Sequence, residues 1–421
     1  MSATRRNVLA AGLGLLATAR LHAAAGSTKA RVVVVGGGFG GATCARYLKR
    51  FAPALAVTLV EPAETFVTCP MSNAVLGGLM ELEQITYGYA ALVRDGIEHV
   101  RRAATGIDPE TRRVTLEGGE KLAYDRLVLS PGVDLVFAAV DGTTTRTTEL
   151  MPHAWKAGEQ TRLLRAQLQS MRAGGVFVIG IPDNPYRCPP GPYERACLVA
   201  EYFRRHNPAA KILLLDAKDT FTKQPLFEEA WRTLYPRMIE RIPRAEGGTV
   251  IAVDDTKRTF VTEFDEFQAD VANFIPPQRA AGIARTAGLD AGRGWCEVDP
   301  ATFESREAPG IHVLGDAVNA NPMPKSGFAA NNQAKVCAAA VVALLAGEAP
   351  PEPFLVNTCY SLAAADWGIS VTGVYRVSDD KLVAVEGSTG ETAANAPRAT
   401  RELEARHTYE WYRAIVHDTF G

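Results

Sequence analysis

The stretch RVVVVGGGFGGATCARYLKR, Arg31 to Arg50, constrains the fold of this chain more than any other. Val32 to Val35 is a β-branched run whose length suits a buried parallel strand and disfavours helix. It runs straight into Gly36, Gly38 and Gly41, spaced G-x-G-x-x-G, and then into Ala, Cys and Leu at helical spacing. Strand, glycines and helix in that order bring backbone N–H groups and a helix N-terminus to a pyrophosphate. The glycines alone describe only a tight turn. Val57 to Val60 adds a second strand, and Glu61 ends it about 20 residues beyond the glycines, where a carboxylate accepts hydrogen bonds from an adenosine ribose. Together they predict a Rossmann-like dinucleotide-binding unit.

Upstream, Arg5-Arg6 precedes an apolar run from Val8 to Ala19, followed by Ala23-Ala24-Ala25. Charged start, apolar middle and small residues predict a secretory signal over residues 1–25, of twin-arginine type, and a periplasmic mature protein. Export of a folded protein already carrying its cofactor fits that route. The remaining length, about 395 residues, exceeds one core and predicts two or three domains. Lys and Arg total 45 against 47 Asp and Glu, so no large basic field exists and nucleic acid is not the expected partner. No apolar run beyond the leader approaches the 18 residues or so that cross a bilayer, so the mature chain is expected to have no membrane span.

The loop TFVTCPMSN, Thr65 to Asn73, follows the second strand and in a dinucleotide fold runs along the cofactor, placing Cys69 near a flavin if one binds; otherwise Cys69 is a buried thiol. Lys121 to Gly132 reads as a strand ending in a tight turn. A second βαβ unit is predicted from a helix around Gln160–Met171 and strands at Val176–Ile179 and Lys211–Asp216. Its loop, Gly180 to Arg195, holds several prolines and no G-x-G-x-x-G; proline lacks the N–H that a pyrophosphate needs, so a nicotinamide site is not expected there. Asp270–Ile275 reads as a strand that returns the chain to the first domain. Gly310–Ala317 reads as a strand ending in Gly-Asp, where Asp316 suits a hydrogen bond to a flavin ribityl chain, and Asn331–Leu345 as a helix whose N-terminus points at the ring. A hairpin at 369–377 and 381–386 and a helix at 400–417 complete the chain. The expected class is α/β, with two Rossmann-like βαβ domains and a small C-terminal α+β unit. The flavin domain takes residues 30–145 and 280–348, the second domain 146–279 and the C-terminal unit 349–421.

Seven cysteines stand at 44, 69, 188, 197, 296, 337 and 359, an odd number for an exported chain. No C-x-x-C-H occurs, so the chain attaches no c-type haem itself, and no zinc spacing occurs, so no metal is expected. Cys188 and Cys359 fall in proline- or turn-flanked loops; Cys44, Cys197 and Cys337 fall on helix patterns, where thiols usually pack.

On the glycine stretch VVVVGGGFGGAT and on TCPMSN (68–73), PHAWKAGEQT (152–161), RCPPGPYERA (187–196), IPPQRA (275–280), GWC (294–296), NPMPKSG (321–327), NTCYS (357–361) and WYRAIVHDTFG (411–421), the chain resembles the flavoprotein subunits of flavocytochrome c sulfide dehydrogenases. These are periplasmic relatives of sulfide:quinone oxidoreductases, with a glutathione-reductase-like fold. The resemblance implies FAD bound covalently through Cys69, a redox-active disulfide between Cys188 and Cys359, Glu194 as its acid/base neighbour and Trp411 as an aromatic beside the cofactor. It further implies sulfide as substrate, sulfur or polysulfide as product, and a c-type cytochrome subunit that carries the haem and docks on Pro353–Gly421; a homodimer contact is the other use of that surface. Two other readings stay open. A membrane-surface sulfide:quinone oxidoreductase would want a basic, apolar C-terminal helix, where Glu402, Glu404 and Glu410 stand; a non-catalytic flavin-bound interaction protein would keep the disulfide as a structural link.

Overall fold

The computed structural model describes residues 29–421, and the predicted leader lies outside the described residues. Strand β1 (Arg31–Val35) buries its four valines, and Gly36 follows with φ of +103°. A Cβ on Gly36 would lie 2.3 Å from the Ser130 carbonyl oxygen, and one on Gly41 would lie 1.8 Å from the Gly36 carbonyl oxygen. Glycine is therefore required at both positions for helix α1 (Phe39–Phe51) to leave the strand as closely as it does. The chain continues through β2 (Ala56–Val60), the short helix α2 (Ser72–Leu76), β3 (Glu98–Val100) and β4 (Arg126–Leu129). The expected strand over 121–129 is broken: Lys121–Ala123 pairs in a separate antiparallel meander before β4 begins.

The second unit contains β5 (Val176–Ile181), α3 (Gly191–His206), β6 (Lys211–Asp216), α4 (Gln224–Leu234), β7 (Ile239–Ile242) and β8 (Val271–Phe274). Its sheet is parallel in the order β7-β6-β5-β8. The chain then returns through β9 (Ile311–Val313) to close a parallel sheet in the order β9-β4-β1-β2-β3. The central strands of both sheets are near-continuous apolar runs and are buried, β1 and β5 above all.

Helix α5 (Gly327–Ala346) begins four residues earlier than expected, because Ser326 caps it by accepting a hydrogen bond from the Ala329 N–H at 3.0 Å. Contrary to the sequence expectation, this helix is long and apolar enough to cross a membrane by length and composition. More than half of that stretch is buried inside the protein, where the helix packs on α1 as a core element.

The C-terminal segment forms β10 (Leu355–Ala364), β11 (Trp367–Ser378), β12 (Lys381–Ala384), β13 (Gly390–Glu391) and α6 (Arg398–Phe420). Leu355, Leu362, Tyr412 and Phe420 pack into the core of the first domain, whereas Ala363, Trp367 and Ile369 pack into the core of the second. The segment therefore straps the two units together, and β10 runs across the cleft between them.

Candidate active site

At the C-terminal edge of the first sheet lies a groove of about 500 Å³, open to solvent and lined by Gly36, Gly38, Glu61, Cys69, Asp316 and Lys325 among others. A Cβ at Gly38 would meet Phe66 at an ordinary 3.5 Å, so the bare fold does not demand glycine there. A side chain at that position would instead enter the groove. Glu61 is fixed at the end of β2 by the N–H groups of Gly37 (2.8 Å) and Ala63 (3.0 Å). Asp316 keeps a buried oxygen, Oδ1, without a hydrogen-bond partner, while its Oδ2 lies 4.0 Å from Arg187. An orphaned buried carboxylate oxygen is costly unless a donor completes it, and a ribityl hydroxyl is such a donor. Glycine edge, ribose-reading carboxylate and orphaned aspartate together fit an FAD.

A second, much tighter recess, with about 60 Å³ of free space, adjoins the groove and is lined by Cys69, Cys188, Cys359, Glu194, Trp155 and Trp411 among others. Cys69 and Cys188 line both spaces; Cys359 lines only the recess. Cys188 sits in the loop before α3 with a left-handed φ of +57°, and its N–H donates to the Lys325 carbonyl at 2.8 Å. Cys359 lies within β10 opposite Val371, not in a loop as expected; the alternation along Asn357–Leu362 makes a strand that aims Cys359 into the recess. All seven cysteines are free thiols in this structure, so the three that converge here are unbridged.

The Cys188 thiol next to it, with Arg187 and Arg195 nearby, draws the Cys69 thiol below its ordinary value. The same contact and burial push Cys188 well up, and burial also pushes up Cys359. Glu194, in the first turn of α3, accepts from Asn73 Nδ2 (2.8 Å) and from the Leu362 N–H (2.8 Å), yet burial holds its carboxyl above the usual range. Asn73 is oriented in turn by Arg195, whose Nε donates to Asn73 Oδ1 at 3.0 Å. Arg195 is 1 % exposed and donates further to Asn273 Oδ1 and to the carbonyls of His153 and Ala154.

Three family models match the chain: sulfide dehydrogenase (flavocytochrome c) flavoprotein chain, central, over residues 161–276; flavocytochrome c sulphide dehydrogenase, flavin-binding, over 351–420; and pyridine nucleotide-disulphide oxidoreductase over 30–180. Over 45 residues, 11% of this chain, it is 69% identical to the sulfide dehydrogenase flavoprotein chain of Chlorobaculum thiosulfatiphilum, covering 94% of that sequence. The chain belongs to the flavocytochrome c sulfide dehydrogenase flavoprotein family. It is also 22% identical over 310 residues to the mitochondrial sulfide:quinone oxidoreductase of Mus musculus; the match takes in 68% of this chain but 65% of the mouse protein, just under two thirds. The solved sulfide:quinone oxidoreductase of Aquifex aeolicus superimposes with a TM-score of 0.71 at 19% identity, over 93% of this chain and 92% of the other, and so shares the fold.

In this member of the family the edge of the second Rossmann-like sheet is filled by the protein's own side chains. Asp216 ends β6 as Glu61 ends β2, but it is fully buried. Its carboxylate accepts from Lys218 Nζ (2.6 Å), Arg241 Nε (2.8 Å) and the Tyr193 hydroxyl (2.6 Å). Tyr193 stacks on Phe221 with ring centres 3.6 Å apart, filling the space in front of the sheet edge. Trp411 lines the thiol recess beside the groove, packed against Phe328 and Tyr360. This follows from α6 crossing β10 and β11, which turns Trp411 toward the strand that carries Cys359. Sequence reasoning missed Asn73, Arg195 and His153. All three lie inside the segments TCPMSN, RCPPGPYERA and PHAWKAGEQT, so the signal was their company rather than any spacing. Among the described residues no cluster of His, Cys, Asp and Glu is placed to hold a metal.

Proposed function

We propose that this flavoprotein oxidises hydrogen sulfide in the periplasm, using FAD bound through a thioether to Cys69 and a redox-active disulfide between Cys188 and Cys359, and passes the electrons to a c-type cytochrome subunit. The observation that carries this reading is that Cys188 borders both the recess that admits a small substrate and the groove that fits FAD. Hydrosulfide attack on one sulfur of the disulfide forms a persulfide there and leaves the electron pair as a thiolate on the other cysteine. A second hydrosulfide takes the outer sulfur away as a polysulfide, leaving two thiolates. Reclosure of the Cys188–Cys359 bond then releases two electrons toward the groove. Glu194, desolvated and held by Asn73, takes up the sulfhydryl proton. FAD bound in the groove supplies a two-electron acceptor that can release electrons singly, as a c-type haem requires. The acidity of Cys69 favours a thiolate able to bond a flavin methyl carbon.

Anaerobic titration of the purified holoprotein with sulfide, and separately with NADH, tests this while the flavin absorption band is followed. Bleaching by sulfide and not by NADH is expected. Bleaching by NADH alone would mean that the proline-rich loop binds a nicotinamide and the reading is wrong.

A further inference from the structure

Lys223 stands just before α4 in a left-handed conformation (φ of +64°) and is 3 % exposed. Among the described residues it forms no ion pair; its ammonium donates to the Cys359 carbonyl (3.2 Å) and to Ser361 Oγ (3.0 Å), and lies 4.0 Å from Cys359 Sγ. Most buried cations are neutralised by a carboxylate, because an unpaired ion away from water is expensive. Here no carboxylate touches the ammonium, Glu194 acting on it only at a distance, and the charge faces one sulfur of the active site.

We propose that Lys223 is a positioning residue for sulfide oxidation: its ammonium makes Cys359 the better leaving thiolate of the Cys188–Cys359 disulfide and so directs sulfide to Cys188. This rests on the sulfide-oxidising reading above. In the step, HS⁻ attacks Cys188 Sγ, a bond forms between that sulfur and the incoming one, the Cys188–Cys359 bond breaks, and its electron pair departs on Cys359 Sγ beside Lys223. Exchange is faster when the leaving thiol is more acidic, and a cation at this range favours the thiolate. Cys188 has Arg195 nearby, but that guanidinium is spent on Asn73, Asn273 and the carbonyls of His153 and Ala154, and Glu194 disfavours a negative charge on either sulfur, so the lysine ammonium at 4.0 Å is what sets Cys359 apart. The persulfide thereby arises on the one sulfur of the pair that borders the FAD groove.

The groups facing Cys359 are Lys223, which favours the thiolate, and Glu194, which opposes it; Cys69, the remaining neighbour, carries no charge once it is bonded to the flavin. The test is the pH dependence of Cys359 alkylation by iodoacetamide in dithiol-reduced holoprotein, read by peptide mass spectrometry in wild type, Lys223→Met, Lys223→Gln and Lys223→Arg. The midpoint for Cys359 should rise by about 1–3 pH units in both neutral variants and return to the wild-type value in Lys223→Arg, with flavin content unchanged. An unchanged midpoint in a folded, flavin-loaded neutral variant, or a shift that arginine does not rescue, overturns the assignment. Failure of sulfide to bleach the wild-type flavin would instead defeat the underlying reading, and the alkylation profile would still judge Lys223 by itself.

Discussion

His153 gives the sharpest quantitative prediction, because burial and charge act on it in the same direction. Its ring is buried, and Nδ1 accepts from the N–H groups of Trp155 (2.8 Å) and Lys156 (3.4 Å), so the neutral form is built into the turn that forms a wall of the thiol recess. Burial, then Arg195, Lys156 and Arg187, pull its pKa down from 6.5 to about 3. Between those values the unfolded chain holds a proton that the folded chain does not. Stability from this group is therefore complete above about pH 6.5 and falls as the pH drops toward 3. Each pH unit is worth about 1.4 kcal/mol, so acidification from pH 7.5 to 5.0 costs about 2 kcal/mol through His153. Asparagine keeps an acceptor near the position of Nδ1 and cannot titrate. Urea unfolding of wild type and His153→Asn at both pH values should show the wild type losing about 2 kcal/mol more than the variant. Equal losses would refute the claim that the folded protein holds this ring neutral. His312 is pulled down to about 4, chiefly by burial, and remains in both proteins, so its contribution cancels in the comparison.

Gly38→Ala should fold and melt like wild type while being purified with much less flavin, because a side chain there stands in the way of its incorporation, whereas Gly41→Ala, with its Cβ placed 1.8 Å from a carbonyl oxygen, should lose about 3 kcal/mol or more and accumulate as misfolded chain. Cys69→Ser should release its flavin into the supernatant on acid precipitation, whereas wild type keeps it in the pellet; free flavin from wild type would defeat the thioether.

The first Rossmann unit was legible because each of its signals is local: four valines, three glycines and Glu61 lie within a short span and obey backbone rules that other residues cannot satisfy. The second unit was legible in its strands and in its missing fingerprint. What fills its sheet edge was not, since Asp216, Arg241 and Tyr193 meet only after folding. Cys359 read as a loop residue because Pro350, Pro351 and Pro353 precede it closely, yet pairing with β11 makes it part of a strand. Lys223 carries no pattern at all: it is one lysine in a polar turn, and its meaning comes from a left-handed backbone that tips its side chain behind β10. The Asn73–Glu194–Arg195 network joins residues more than a hundred positions apart, and no periodicity encodes such a meeting.

The two βαβ units reveal what was exchanged. In the first, the turn after β1 is glycine, and Glu61 keeps its carboxylate at the edge of an open groove. In the second, the corresponding turn after β5 carries Cys188 and leads into the first turn of α3 with Glu194, while Asp216 is consumed by internal hydrogen bonds. The place where a reductase of this fold would receive a diffusible hydride donor is thus taken by a thiol tethered to the protein. A tethered donor must be recharged where it stands, by a reagent that brings electrons to sulfur. A recess with only about 60 Å³ of free space, walled by Trp155 and Trp411, suits a reagent of one or a few atoms better than a nucleotide. Sulfide meets both demands, being a small nucleophile that reduces a disulfide by bonding to it. Refilling the second unit with glycines would therefore not restore nicotinamide use, because Tyr193 and the Asp216 cluster would still occupy the ribose site.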